Sequence, residues 1–309
     1  MSRYGFSLCL RDNDEELAKY NNEKLSWLLF THVMEDIKMA NCFYKNHGVA
    51  VPVDERVIEK MMHYLMLDGI FGSPASRAYY SDWKADHAIN IAREYVADRI
   101  GAQSQDIIFT SGCLSSNNMV VKALLNEYRN NGRHVIICHS QDLNSSRLVH
   151  ELESEGYSLT MLLSLENNIV NPDEIKRVIS KDTVLVSVAS TSTSTNAGFV
   201  ASVAEICEVC RRQGIILHVD AAQCIGEGAI DVNKISVDLM SLSSRELYGP
   251  NGVGALYVRH NSKVWSALSQ VKLSDVPPVH KIVGMGEAYR IAKQEMPPHL
   301  GYSCQLCDW

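Results

Sequence analysis

Short apolar runs and amphipathic stretches alternate along most of the chain. From about residue 86, "DHAINIAREYVADRIGA" sets its apolar residues at helical spacing, and "DIIFT" follows as a short buried strand. Further apolar runs recur as "HVIIC" (134–138), "LTMLLS" (159–164), "TVLVSVA" (183–189), "GIILHV" (214–219), "VDLMSL" (237–242) and "GVGALYV" (252–258). Amphipathic segments such as "PDEIKRVIS" and "VAEICEVCRRQ" lie between most of them. In the first of these, Asn171 suits an N-cap, Pro172 the first turn, and Glu174 the closing position of a capping box. About seven continuously apolar strands separated by helices predict an α/β fold, with a mostly parallel sheet covered on both faces. Residues 1–38 break the rhythm and read as a helical extension, and "STSTST" (190–195) is a low-complexity patch at a strand end. The helix "GMGEAYRIAKQEM" is followed by the irregular "PPHLGYSCQLCDW".

Composition narrows the functional classes. The 309 residues are 46% hydrophobic and 21% charged, enough to bury a sizeable core. The net charge is −7 and the positive charges are scattered, so no basic stripe is present for nucleic acid. No apolar run approaches the roughly 18–20 residues of a membrane span, and the acidic first 25 residues do not read as a signal peptide. Nine cysteines without a disulfide framework point to a reducing, cytoplasmic compartment. Two Cys-x-x-Cys pairs stand out. Cys207 and Cys210 lie at i, i+3 on an expected helix, where packing is the simpler reading, whereas Cys304 and Cys307 are freer to bind metal or sulfur. The histidines show no metal-ligand spacing, so no metal site is expected from them.

Two stretches carry chemistry. "HVDAAQ" (218–223) sets Asp220 at the carboxyl end of a strand, where open α/β sheets bind ligands. Its carboxylate can face a protonated ring nitrogen, and Gln223 can donate to a nearby oxygen. Taken alone, a turn-capping aspartate explains Asp220 as well or better. "FTSGCLSSNN" (109–118) is a strand, a Gly turn and a hydroxyl- and amide-rich helix start, a shape equally suited to a phosphate or to an ordinary βα turn. Tyr248 and the glycines from Gly249 to Gly254 read as a tight turn.

Together these stretches resemble one family. "PVDERVIEKMM", "GIFGSPASR", "IIFTSG", "LESEGYSLTML", "HVDAAQ", "VDLMSLS", "YGPNGVGALYVR" and "VHKIVGMGEAYRIAKQEM" occur in the order found in the pyridoxal-phosphate-dependent cysteine desulfurases of the NifS/IscS type, within the class V aminotransferase group. The resemblance covers about Asn41 to Met296 and implies the type I pyridoxal-phosphate-enzyme fold. It divides the chain into an extension (1–38), a reduced small domain (39–66 and 260–309) and a large α/β domain (67–259). It also implies a homodimer, or a heterodimer with an intact desulfurase, and iron–sulfur assembly proteins as partners. Asp220 matches the aspartate at the pyridinium nitrogen, Gln223 the glutamine near the phenolic oxygen, and Ser243 a phosphate-binding serine; Gly112 and Cys113 are remnants of the phosphate loop.

Departures from the family gather at the same contacts. The family's Ser-x-His-Lys is Ser243-Ser244-Arg245-Glu246, so Glu246 stands at the Schiff-base lysine. A carboxylate cannot form an imine, and its charge opposes an anionic cofactor. The phosphate-binding threonine is Leu114, the following glutamate is Ser115, the ring-stacking histidine falls at Asp142, and an asparagine of the Asn-Asn-Glu-x-Gly motif is Thr195. Val49-Ala50-Val51 replaces Ala-Thr-Thr, and the segment from Arg259 to His280 is shorter than the family's Gly-Gly-Gly-His-Glu-Arg-Gly loop requires. The sequence stops where the family continues toward its sulfur-accepting cysteine and carboxylate-binding arginine. The expectation is a desulfurase homologue that has lost catalysis, binds pyridoxal phosphate weakly or not at all, and acts as a pseudoenzyme or binding partner. Two alternatives stand beside it: a residual enzyme holding the cofactor non-covalently through Asp220, Gln223 and Ser243, and a metal- or sulfur-binding protein acting through Cys304 and Cys307. Arg245, new relative to the family, is expected to neutralise Asp220.

Overall fold

In the computed structural model the described residues are 52–66, 79–127, 132–139, 149–150, 152–163, 170–189, 196–225, 231–260, 262, 264–269 and 278–295. The expected extension (1–38), the patch at 190–195 and the tail cysteines Cys304 and Cys307 lie outside them.

All seven apolar runs form strands. These are β1 (Ile107–Thr110), β2 (His134–His139), β3 (Ser158–Leu163), β4 (Thr183–Ala189), β5 (Ile216–Asp220), β6 (Leu239–Ser243) and β7 (Gly254–Val258). They make one sheet in the order β1-β7-β6-β5-β4-β2-β3. Neighbours from β6 through β3 run parallel, whereas β7 is antiparallel to both β1 and β6. The single reversal follows from the connection, because β6 returns to β7 through a short turn with no room for a crossover helix.

Helices cover both faces. They are α1 (Glu55–Met62), α2 (Tyr80–Ile100), α3 (Cys113–Glu127), α4 (Pro172–Val178), α5 (Asn196–Gln213), α6 (Trp265–Ser269) and α7 (Val279–Glu295). One apolar cluster joins α2, α4, α5 and α7 to one side of the sheet through Val96, Ile175, Phe199 and Tyr289. The other joins α3 and α6 to the opposite side through Leu124, Leu239 and Leu268. Asn171 caps α4 as its sequence indicates, its side chain accepting from Asp173 N.

The last long helix is drawn tightly onto the second. A Cβ placed on Gly286 of α7 would lie 2.6 Å from both Cα and Cβ of Ala92 in α2, so only glycine allows this approach. Helix α1 packs against α7 in turn, and Arg56 pairs with both Asp54, its N-cap, and Glu295 at the end of α7. Residues from the two segments assigned to a reduced small domain therefore contact each other, and α7 also rests on the large-domain helix α2. No helix among the described residues is long and apolar enough to cross a membrane.

Candidate active site

The carboxyl ends of β5 and β6 and the amino end of α3 meet at one place. Parallel pairing sets Asp220 opposite Ser241, and Ala221 N donates to Ser241 O at 3.0 Å, so the two strand ends stay in step. Beneath them, His218 bridges Ser187 of β4 and Ser241 of β6, each hydroxyl 2.9 Å from a ring nitrogen. All three residues are buried. Burial pushes the imidazole down to about 4, against an opposing pull from Asp220. The ring is therefore neutral, donating to one serine and accepting from the other.

Asp220 is held by neutral donors. Cys113 Sγ donates to Oδ1 at 3.0 Å, Ala222 N to Oδ1 at 3.1 Å, and Asn117 Nδ2 to Oδ2 at 2.8 Å. Cys113 and Asn117 are four residues apart on α3, which places both on one face of the helix. The Cys113 thiol is driven well above its usual range, first by burial, then by the Asp220 carboxylate, and further by Glu246. It is a donor at this site and has none of the thiolate character a nucleophile needs.

The loop after β6 carries the residues of greatest consequence. Tyr289 of α7 donates to Ser243 O at 2.8 Å, and Arg245 N donates to Ser243 Oγ at 3.2 Å. A 3₁₀ turn, Arg245–Leu247, then ends at Tyr248, whose φ of 56° lies in the left-handed region. The expected tight turn from Tyr248 to Gly254 is present, and at its end a Cβ on Gly254 would come within 2.9 Å of the Gly112 backbone. Glycine at the start of β7 thus permits the close approach, whereas a Cβ on Gly112 would meet nothing within 4 Å and it is the φ of 141° there that favours glycine.

Glu246 points inward, its side chain only 2% exposed. Arg245 donates to Oε1 through Nε at 3.1 Å and NH2 at 2.8 Å, whereas Oε2 has no hydrogen-bond partner. The Tyr289 hydroxyl is pushed well above its usual value by burial, then by Glu246 and Cys113, so these groups share one neighbourhood. One expectation is corrected at this point. Arg245 pairs with the adjacent Glu246 rather than with Asp220, because the buried carboxylate three residues beyond Ser243 has no neutral donors of its own, while Asp220 has three.

Other expected positions fall as follows. Gln223 is half-buried in the turn after β5, close in sequence to Asp220, and Gly112 begins the turn into α3. Asp142 and Thr195 lie outside the described residues. Cys207 and Cys210 are buried in the core on α5, and burial pushes the Cys210 thiol up to about 12. Two contributors were not singled out from the sequence. Asn117 was discoverable, since the "SSNN" run puts an amide one helical turn after Cys113; Tyr289 was not, because only the α7 packing aims it at Ser243.

This sheet order, with a carboxylate at the end of β5 and a phosphate-type turn after β1, defines the type I fold of pyridoxal-phosphate-dependent enzymes. The Aminotransferase class-V profile matches residues 49–273, so the chain belongs to the class V aminotransferase family. It is 42% identical to the cysteine desulfurase IscS of Photorhabdus laumondii subsp. laumondii over 260 residues, covering 82% of this chain and 64% of that protein. To the cysteine desulfurase IscS of Histophilus somni (strain 2336) it is 41% identical over 272 residues, 86% of this chain and 67% of that one. The chain therefore spans about two thirds of the length of these curated relatives. Among solved structures, SspA in complex with cysteine superposes with a TM-score of 0.70 at 29% identity, over 80% of this chain and 72% of that one. A NifS-like protein superposes at 0.71 and 24% identity, over 81% and 69%, and speaks to the fold alone.

Family membership implies pyridoxal phosphate, and the residues present fit that group only in part. Asp220, a carboxylate side chain met by neutral donors alone among the described residues, suits a cationic ring nitrogen. Glu246 does not suit the aldehyde: covalent capture needs an amine at that position, and a buried carboxylate with an unpartnered oxygen is present instead.

Proposed function

We propose that this chain is a catalytically silent member of the cysteine desulfurase branch, which acts by binding rather than by turnover. One observation carries the reading: the inward-facing side chain after β6 is Glu246, buried and ion-paired to Arg245, where desulfurase chemistry requires a free amine. A lysine there would both attach the cofactor and move protons, so a single exchange removes two roles. The Cys113 thiol, held protonated against Asp220, supplies no replacement nucleophile.

The scaffold around the exchange is well bonded, which supports a role that needs the fold without the chemistry. The His218 bridge, the three donors on Asp220 and the close approach of Gly254 to Gly112 hold the strand ends together. Such a scaffold suits a protein that pairs with a second copy, with an intact desulfurase or with iron–sulfur assembly proteins in the cytoplasm. Purified protein with added pyridoxal phosphate and L-cysteine should release no sulfide or alanine above a protein-free control. Co-expression with an intact desulfurase, followed by native mass spectrometry, should give a heterodimer; turnover by the chain alone would end this reading.

A further inference from the structure

The sheet ends differently at its two edges. At one, β1 is four residues long and buried along most of its length. At the other, β3 runs for six residues and pairs only with β2 among the described residues. Ser158 N donates to Arg133 O at 2.7 Å, so in this parallel ladder Ser158, Thr160 and Leu162 turn their backbone groups toward β2. The N–H and C=O groups of Leu159, Met161 and Leu163 therefore point outward. Ser158 on one face of the strand and Met161 on the other are both exposed, so the edge is open on either side. Exposed edges are ordinarily blunted by a charge, a proline or a bulge. The run "SLTMLL" carries no charge and no proline, and its register with β2 proceeds without a shift.

From this we propose that the β3 edge is an interface with a second copy of the chain, in which the two strands pair antiparallel about a two-fold axis at Met161 and join two sheets into one. The proposal deepens the reading of a chain that acts by binding, and it names the surface used. The strand's own sequence argues for this occupant. Outward-facing residues exchange hydrogen bonds with outward-facing residues, so the axis sets Met161 opposite itself and Leu159 opposite Leu163 of the second copy. Apolar positions then meet apolar positions, and with no charge on either strand nothing repels. A charged peptide would find no counter-charge on this strand, whereas an identical strand needs none. The same operation brings the Met161 side chains, each 46% exposed, against one another and takes their apolar surface out of water. Strand β3 lies three strands from β5, about 14 Å away, so pairing there leaves the ends of β5 and β6 uncovered.

The test is native mass spectrometry of the full-length protein at micromolar concentration, with light scattering beside it. The mass should be an even multiple of the chain mass. Met161→Lys, which brings two ammonium groups together across the axis, should halve it by weakening association at least about 10-fold. Met161→Cys treated with diamide should give a disulfide between the two introduced thiols. Opposed residues of such a pair have Cα atoms about 5.5 Å apart, inside the range a disulfide spans. Peptide mapping distinguishes this linkage from any made by the native cysteines. Ser158→Cys, exposed on the same strand but away from the axis, should link to itself at least about 10-fold less. A monomeric wild-type protein, an assembly that a folded Met161→Lys leaves intact, or no linkage through Met161→Cys would overturn the proposal. If Met161→Lys does not fold by circular dichroism, the linkage alone decides. Sulfide release from L-cysteine defeats the silent reading and leaves this interface standing, whereas a monomer without turnover removes the interface and keeps that reading.

Discussion

Removing His218 tests how the strand ends beneath the site are held. The imidazole spans three strands, with Ser187 Oγ and Ser241 Oγ each at 2.9 Å and all three residues within 9% of full burial. His218→Leu fills much of the same volume but strands two buried hydroxyls, each costing about 1–3 kcal/mol, so a loss of about 3–5 kcal/mol is expected. Replacing all three partners, Ser187→Ala with His218→Leu and Ser241→Ala, removes the polar atoms together and should lie within about 2 kcal/mol of wild type. Urea unfolding followed by circular dichroism measures both, provided the slopes match. Acid adds an independent reading. The folded imidazole is pushed down to about 4 from an ordinary 6.5. Above pH ~6.5 both states are neutral at this residue and its contribution is fully present; as the pH falls toward about 4, only the unfolded chain gains the proton and stability drops. The gap corresponds to about 3 kcal/mol, and His218→Leu should flatten that part of the profile. A single variant that loses less than about 1 kcal/mol, or a triple variant no better than the single one, would refute the buried bridge.

Three further outcomes follow from the same geometry. Arg245→Ala leaves Glu246 buried without its cation and should cost about 1–3 kcal/mol, a figure held down by the partial exposure of the arginine; adding Glu246→Gln should recover most of it in thermal melts. Gly286→Val forces α7 off α2 at Ala92 and should cost at least about 2–3 kcal/mol, with Gly286→Ala intermediate, measured by the same melts. Cys113 should react with iodoacetamide at pH 8 at least about 10-fold more slowly than a free thiol, and Asp220→Asn should speed it, as mass spectrometry of the labelled peptide can show.

Most of the strands were legible because each is a short run buried on both faces, and such runs need no partner information to stand out; the edge strand β3, with Met161 46% exposed, is the exception. β4 and β7 are buried along nearly their whole length, which is why "TVLVSVA" and "GALYV" read without ambiguity. The reversal of β7 was not read from periodicity, since parallel and antiparallel strands share a period of two; the short loop after β6 decides it. Asp220 and Ser243 were legible as strand ends and Glu246 as a departure at a chemistry-bearing position. The partner of Arg245 was not. Sequence gives the number of charges in a pocket, but pairing depends on which carboxylate already has donors, and the Asn117 and Cys113 bonds to Asp220 appear only when α3 is docked. The Tyr289 contact to Ser243 joins residues 46 apart and needs the close α2–α7 approach to exist.

The central claim is that Glu246 has ended covalent capture of the cofactor. The most direct measurement mixes the purified full-length protein with pyridoxal 5′-phosphate, treats it with borohydride, and examines the product by visible absorption and intact mass. The account predicts no protein-bound chromophore and no mass increase after dialysis, with a trapped adduct at residue 246 appearing only in Glu246→Lys. A stoichiometric reduced adduct on the unaltered chain, mapped to any one lysine, would contradict it and return the protein to the enzymes.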